Sequence, residues 1–137
     1  MLFRSHGEEK QAVFSFVQQY TAGRIPLVAG IGGNDTSEVV HAITHYDLTG
    51  YTAILSVSPY YNKPNQEGLF QHYKQIDQHT PLPVIMYNVP GRTGQPVQAS
   101  TQLRIARECP SIFATKDRKS TRLNSSHVSE SRMPSSA

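Results

Sequence analysis

The sequence predicts an α/β fold in which parallel strands alternate with helices and curl toward a barrel. Three observations predict it. Short apolar runs recur roughly every thirty residues, and each is followed by a stretch with helical periodicity. The apolar runs are continuous rather than alternating, as expected of strands in a parallel sheet covered on both faces. Polar residues cluster just after successive runs, at Pro59-Tyr60-Tyr61-Asn62-Lys63-Pro64, at Tyr87-Asn88-Val89-Pro90-Gly91-Arg92-Thr93-Gly94 and at Thr115-Lys116. Groups gathered at the strand ends of one rim favour a barrel over an open doubly wound sheet.

Each element has its own signal. Glu8 to Ala22 is expected to be a helix with Val13, Phe16, Val17 and Tyr20 as its inward stripe, ended by Gly23. Ile25 to Ile31 is the first strand. Gly32-Gly33-Asn34-Asp35-Thr36 is a loop, with Asp35 or Thr36 capping the next helix, Ser37 to Leu48, which carries Val39, Val40 and Ile43. Ala53 to Ser58 is a strand, and Asn65 to Gln78 a helix with Leu69, Tyr73 and Ile76 inward. Val84 to Tyr87 is a strand, Ala99 to Glu108 a helix with Leu103, Ile105 and Ala106, and Ser111 to Thr115 the last strand. The glycines of Gly30-Ile31-Gly32-Gly33 lack the spacing of a dinucleotide fingerprint or a P-loop and read as turn residues.

The two ends stand apart. Asp117 to Ala137 is serine-rich and without hydrophobic period, the composition of a disordered tail. Back-translated, Asp117 to His127 and Ser131 to Ala137 match the adapter ligated to fragments in short-read DNA sequencing, and Met1 to Ser5 matches the opposite adapter. Residues 1–5 and 117–137 are therefore read as translated scars of library preparation and set aside from the fold, leaving 6–116 as the domain. In that segment eight basic side chains balance eight acidic ones, so the net charge of +3 resides in the flanks. Nothing in it calls for a nucleic-acid partner. Lone Cys109 offers no disulfide framework and suits a reducing, cytoplasmic setting.

Within the domain, Lys116 ends an apolar strand. Such a lysine is expected to bury its stem and present its amine at the rim, where partial desolvation makes it a nucleophile toward carbonyls; the alternative is a lysine snorkelling to solvent. Tyr87 can donate and accept a proton beside an imine, given a hydrogen-bonded relay that Tyr60 and Tyr61 can supply. Arg92, in the turn after Tyr87, suits bidentate capture of a carboxylate. His41 and His45 share a helix face without an acidic or cysteine partner and read as surface residues.

These residues, together with Gly23-Arg24-Ile25-Pro26-Leu27-Val28-Ala29-Gly30, Gly33-Asn34-Asp35-Thr36, Gln66-Glu67-Gly68-Leu69 and Ala114-Thr115-Lys116, make residues 6–116 resemble the dihydrodipicolinate synthase family. The resemblance implies about half of a (β/α)8 TIM barrel and a class I, Schiff-base lyase that condenses pyruvate with L-aspartate semialdehyde in lysine biosynthesis. It implies no cofactor beyond the covalent imine. On this resemblance Lys116 forms the imine, Tyr87 relays protons, Tyr61 crosses a tight-dimer interface to complete a neighbour's relay, and Arg92 receives the semialdehyde carboxylate. Asn34, Glu38 and Tyr60 match positions lining a feedback-lysine pocket. Gly7 and Lys10 stand where lysine-sensitive members often carry histidine or glutamate, which weighs against inhibition. The full-length protein is expected to be a cytoplasmic homotetramer, a dimer of dimers, with no metal. The family's Gly-Thr-Thr-Gly-Glu loop is not in this sequence, so the chain by itself is expected to be inactive. The rival readings are a sugar-acid aldolase of the same superfamily acting on N-acetylneuraminate or 2-keto-3-deoxygluconate, and a non-catalytic α/β fragment acting by association.

Overall fold

A computed structural model describes residues 2–59, 65–88 and 96–117. In chain order the elements are α1 (Leu2–Thr21), β1 (Val28–Gly30), α2 (Thr36–His45), β2 (Ala53–Val57), α3 (Gln66–His79), β3 (Val84–Asn88), α4 (Ala99–Glu108) and β4 (Ile112–Asp117). The strands form one sheet in the order β1-β2-β3-β4, and every pairing is parallel. Among the described strands the order never reverses. A doubly wound sheet needs a reversal to create its ligand crevice, whereas an arc of a barrel has none. The topology therefore sets aside the dinucleotide-type alternative.

The sheet's two faces differ. Ala29, Ile54, Ser56, Val84, Met86 and Asn88 are buried, and the apolar ones among them join a core with Val39 and Ile43 of α2, Leu69, Tyr73 and Ile76 of α3, and Ile105 of α4. Their neighbours in sequence, Leu55, Val57, Ile85 and Tyr87, are only half-buried, because successive strand residues point to opposite faces. The register aligns them: Gly30 with Leu55, Leu55 with Ile85, Val57 with Tyr87, Ile85 with Ala114 and Tyr87 with Lys116. The apolar content of both faces is thus real, but among the described residues helices seal only one.

The ends of the elements are set by local chemistry. Asp35 caps α2, its carboxylate accepting from Ser37 N at 3.0 Å, and Asn65 caps α3 by accepting from Gly68 N at 2.8 Å. Thr36, the other candidate cap, instead pairs its hydroxyl with Nδ1 of His72 at 2.8 Å. Gly23 at φ +76 turns the chain out of α1 in the left-handed region. α1 begins at Leu2 rather than near Glu8, since nothing between them breaks a helix strongly enough to stop it. β1 is shorter than its apolar run, three residues long, and β4 extends to Asp117, so Lys116 lies inside the strand.

Two core expectations need correction. On α1 the buried aromatic is Phe14, edge-on to Tyr46 and Tyr51, with Val17 packed alongside. Val13, Phe16 and Tyr20 stay 56, 66 and 70% exposed. Periodicity found an apolar stripe but not which flank of it is covered. On α4, Leu103 and Ala106 are exposed, and Thr101 and Ile105 are the inward residues, with Cys109 buried at the C-cap.

Gly32 is required for close approach rather than for a turn. A Cβ there would sit 2.8 Å from Cγ1 and 2.9 Å from the backbone N of Val57, whereas at Gly33 the nearest atom would be 3.5 Å away. Gly32→Ala should destabilise the fold by about 1–3 kcal/mol, as overpacking does, and Gly33→Ala by much less; urea midpoints of the two variants check the contrast. His72 is buried with its Nε2 unpartnered, and burial pushes its pKa down to about 4. A folded pKa below the unfolded value favours the neutral ring, so its contribution is complete above about pH 6.5 and is lost as pH falls toward 4, amounting to at most about 3 kcal/mol. Thermal melts across that window should show this slope, and His72→Leu should flatten it.

Candidate functional site

The C-terminal rim of the sheet collects the polar groups. Tyr87 on β3 and Lys116 on β4 are Cα partners in the parallel register, and Lys116 Nζ lies 5.6 Å from the centroid of the Tyr87 ring. Both side chains belong to the less covered face of the sheet, with Val57 beside Tyr87 on β2. Lys116 is exposed, a correction to the expectation of a buried stem: β4 is an edge of the sheet, and no strand among the described residues lies on its outer side to cover the methylenes. The arrangement can do what an imine-forming site needs, an amine and a phenol on adjacent strands, within reach of one small carbonyl compound.

The remaining predicted residues divide into two groups. Tyr60, Tyr61 and Arg92 lie outside the described residues. Asn34 and Glu38 are described, Asn34 half-buried in the loop after β1 and Glu38 exposed in the first turn of α2. Glu38 lines a crevice of about 490 Å3 with Gly7, Glu8, His41, Ala42, His45 and Tyr46. Asn34 is not among the residues lining it. Lys10, one helical turn beyond Gly7, is half-buried, and burial lowers the pKa of its ammonium. His41 and His45 stack at 3.8 Å between centroids, and no group of three metal-ligating side chains occurs among the described residues.

The structure adds residues that sequence reasoning missed. Asn88, 3% exposed, follows Tyr87 and faces the helices. Its Oδ1 accepts from Val97 N at 3.1 Å and its amide reaches Val97 O at 3.5 Å, so one buried side chain ties together the two ends of the stretch carrying Arg92. Gln66, the first residue of α3, reinforces the far end: its amide donates to Pro96 O at 3.0 Å, and its carbonyl accepts from Gln98 N at 3.1 Å and Thr101 Oγ1 at 2.6 Å. At the C-terminal end of β2, Tyr73 donates to Ser56 O at 3.1 Å and pairs with Ser58 Oγ at 3.0 Å. Ser58 N in turn donates to Tyr87 O at 3.2 Å. Full burial drives the Tyr73 phenol's pKa up, so it acts as a neutral strut. The available signal for these was a polar residue interrupting an apolar strand or opening a helix, which shows position but not partner.

A second depression of about 590 Å3 lies at the opposite rim, among the segments that enter β2, β3 and β4, and is lined by Thr52, Pro81, Pro83, Pro110 and Phe113 among others. Residues at that end of a barrel serve stability rather than chemistry.

Comparison with known proteins places this geometry. The model of the "Dihydrodipicolinate synthetase family" matches residues 3–132. A 4-hydroxy-tetrahydrodipicolinate synthase of Parabacteroides distasonis is 53% identical over 110 residues, 80% of this chain and 37% of the relative. The Bacillus subtilis protein of the same name is 42% identical over 110 residues, 80% of this chain and 38% of its own length. The crystal structure of dihydrodipicolinate synthase from Aquifex aeolicus superposes with a TM-score of 0.78 at 41% identity, covering 84% of this chain and 39% of that one. The chloride-inhibited enzyme of Acinetobacter baumannii, solved with pyruvate, gives 0.78 at 44% identity, covering 82% and 38%. The chain thus spans somewhat over a third of the length of these relatives. With four consecutive parallel strands, a lysine and a tyrosine paired at their C-terminal rim, and a family match along nearly its whole length, the chain belongs to the dihydrodipicolinate synthetase family and forms an arc of its (β/α)8 barrel.

Proposed function

We propose that this chain is part of a 4-hydroxy-tetrahydrodipicolinate synthase, a lyase that condenses pyruvate with L-aspartate semialdehyde on the route to lysine. The observation that carries the reading is the pairing of Lys116 with Tyr87 on adjacent strands, amine 5.6 Å from the ring centroid. The names of the relatives and the pyruvate in the Acinetobacter baumannii structure support it, and they favour the synthase over a sugar-acid aldolase.

In this reading the Lys116 amine adds to the keto carbon of pyruvate. Tyr87 passes the proton that lets the carbinolamine oxygen leave as water, giving the imine. The imine draws electrons from the methyl group, which loses a proton to become an enamine carbon. That carbon attacks the semialdehyde's aldehyde, whose oxygen is protonated to a hydroxyl. The semialdehyde's own amine then displaces Lys116 from the imine carbon and closes the ring. Arg92 holds the semialdehyde carboxylate through paired N–H donors. Tyr61 extends the proton relay from a neighbouring subunit of a homotetramer. The lysine imine serves as electron sink, so no further cofactor takes part.

The 137-residue chain contains no Gly-Thr-Thr-Gly-Glu segment, and by itself it lacks the threonines that would seat the pyruvate carboxylate. Borohydride trapping with labelled pyruvate is expected to leave this chain unlabelled while labelling Lys116 in a full-length protein that contains it. Labelling elsewhere in the full-length protein would sink the assignment. In the full-length enzyme, Lys116→Arg should abolish trapping, and Tyr87→Phe should lower kcat by about 10²–10⁴, the range for losing a positioned proton-transfer group, with the dissociation constant for pyruvate changed far less.

A further inference from the structure

We propose that His41 and His45, in the crevice between α1 and α2, chelate a divalent transition-metal ion of the zinc type. The two residues stand one helical turn apart on α2, the i, i+4 spacing at which side chains share a helix face. Their rings stack with centroids 3.8 Å apart and planes 23° from parallel. A tetrahedral zinc held ~2.0–2.1 Å from each of two imidazole nitrogens needs those nitrogens about 3.3 Å apart, and rings this close reach that separation by a small side-chain rotation. Both side chains are exposed, so an ion can reach them from solvent. Hydrogen bonding prepares His45 as a ligand. Its Nδ1 lies 2.9 Å from the carbonyl oxygen of His41. A carbonyl only accepts, so the proton of the neutral ring sits on Nδ1 and Nε2 keeps its lone pair. The Thr44 hydroxyl, 3.2 Å from the same nitrogen, is a second acceptor for that proton. A ring N–H held by a backbone carbonyl is the usual support of a metal-bound histidine, because it fixes tautomer and orientation.

The surroundings favour a cation. The pair shares its crevice with Glu38, one turn before His41 on α2, and with Glu8 of α1. Among the described residues no lysine or arginine lines that crevice. α2 ends at His45, where the negative pole of the helix adds to the attraction. The sequence alone offered the pair no acidic partner, and the fold brings one from another helix. Among the described residues no three metal-ligating side chains converge on one point, so the two rings are the direct protein ligands. Water completes the shell, and Glu8 and Glu38 hold that water as outer partners. Two imidazoles select Zn2+, Ni2+ or Cu2+ over Mg2+ and Ca2+, which prefer oxygen. The site is separate from the Lys116–Tyr87 pair. As a crossover between parallel β1 and β2, α2 runs back against the strands. His45 therefore lies toward the rim where strands begin, and Lys116 and Tyr87 lie toward the rim where they end. An ion there ties α1 to α2 and takes no part in the condensation.

The test uses the full-length protein that contains this chain, stripped of metal with a chelator, and Zn2+ as the probe. Isothermal titration is expected to show a Zn2+ site that His41→Gln alone and His45→Gln alone each weaken at least tenfold, because a chelate broken at one ring is lost. Excess Mg2+ should leave the Zn2+ isotherm unchanged. Zn2+ should raise the melting temperature of the parent protein and leave both variants nearly unmoved, since only an ion bound to the folded state stabilises it. Both histidines are exposed, so the metal-free variants should match the parent in circular dichroism and melting. No Zn2+ binding, or binding that survives either substitution, overturns the proposal. Two ions per chain, one lost with each ring, overturns it in favour of separate single-ring contacts. Displacement of Zn2+ by Mg2+ overturns it in favour of the carboxylates alone.

Discussion

Everything in this molecule hangs on the requirement that a parallel sheet be covered on both faces. Parallel strands cannot be joined by tight hairpins, so each connection crosses over through a helix, and the helices seal the convex face. That seal, centred on Ile54, Val84, Met86, Leu69, Tyr73 and Ile76, is a continuous apolar layer. The other face must be sealed by the sheet curling on itself. Its half-buried Leu55, Val57 and Ile85 are apolar because they belong to an interior. The same constraint fixes where chemistry can occur: the concave face opens at the strands' C-terminal ends, and Tyr87 and Lys116 sit in register there.

What the strands position, buried polar side chains hold in place. Tyr73 joins Ser56 and Ser58 under the end of β2, Ser58 reaches the Tyr87 carbonyl, and Asn88 and Gln66 fasten the segment after β3. Burying so many polar groups is tolerable because each of these finds a partner. The exceptions, Ser56 Oγ and His72 Nε2, lie close behind the same rim, where Thr36 at the start of α2 meets α3 through His72. The layer behind the site is therefore a polar network set into an apolar seal, which restricts it to one arrangement more tightly than packing alone would.

The sequence made the alternation, the parallel sheet and the pairing of Lys116 with Tyr87 legible, because those depend on local composition and on which residues end strands. It was less informative wherever the answer depended on a second element. The stripe Val13-Phe16-Tyr20 has the right period for a buried face, yet Phe14 is the residue that meets Tyr46 and Tyr51, since coverage is decided by where α2 and β2 lie. Lys116 was expected to be stem-buried, and it is exposed because burial at an edge strand depends on a neighbour in space. Gly32 read as a turn glycine, and its real constraint is the Val57 backbone across the loop. Asn88 carried a visible signal, a polar residue in a strand, but its partner is nine positions away and reached only after the chain returns.

By holding Val97 to the end of β3 with one amide, Asn88 fixes the separation of positions 88 and 97 through a contact that neither strand pairing nor helix hydrogen bonding supplies. The entropy of closing a connection between two anchored positions is set chiefly by its length. An anchor of this kind ties the entry to α4 directly to the end of β3, so the two elements keep their relative position by a side chain as well as by the packing between α3 and α4.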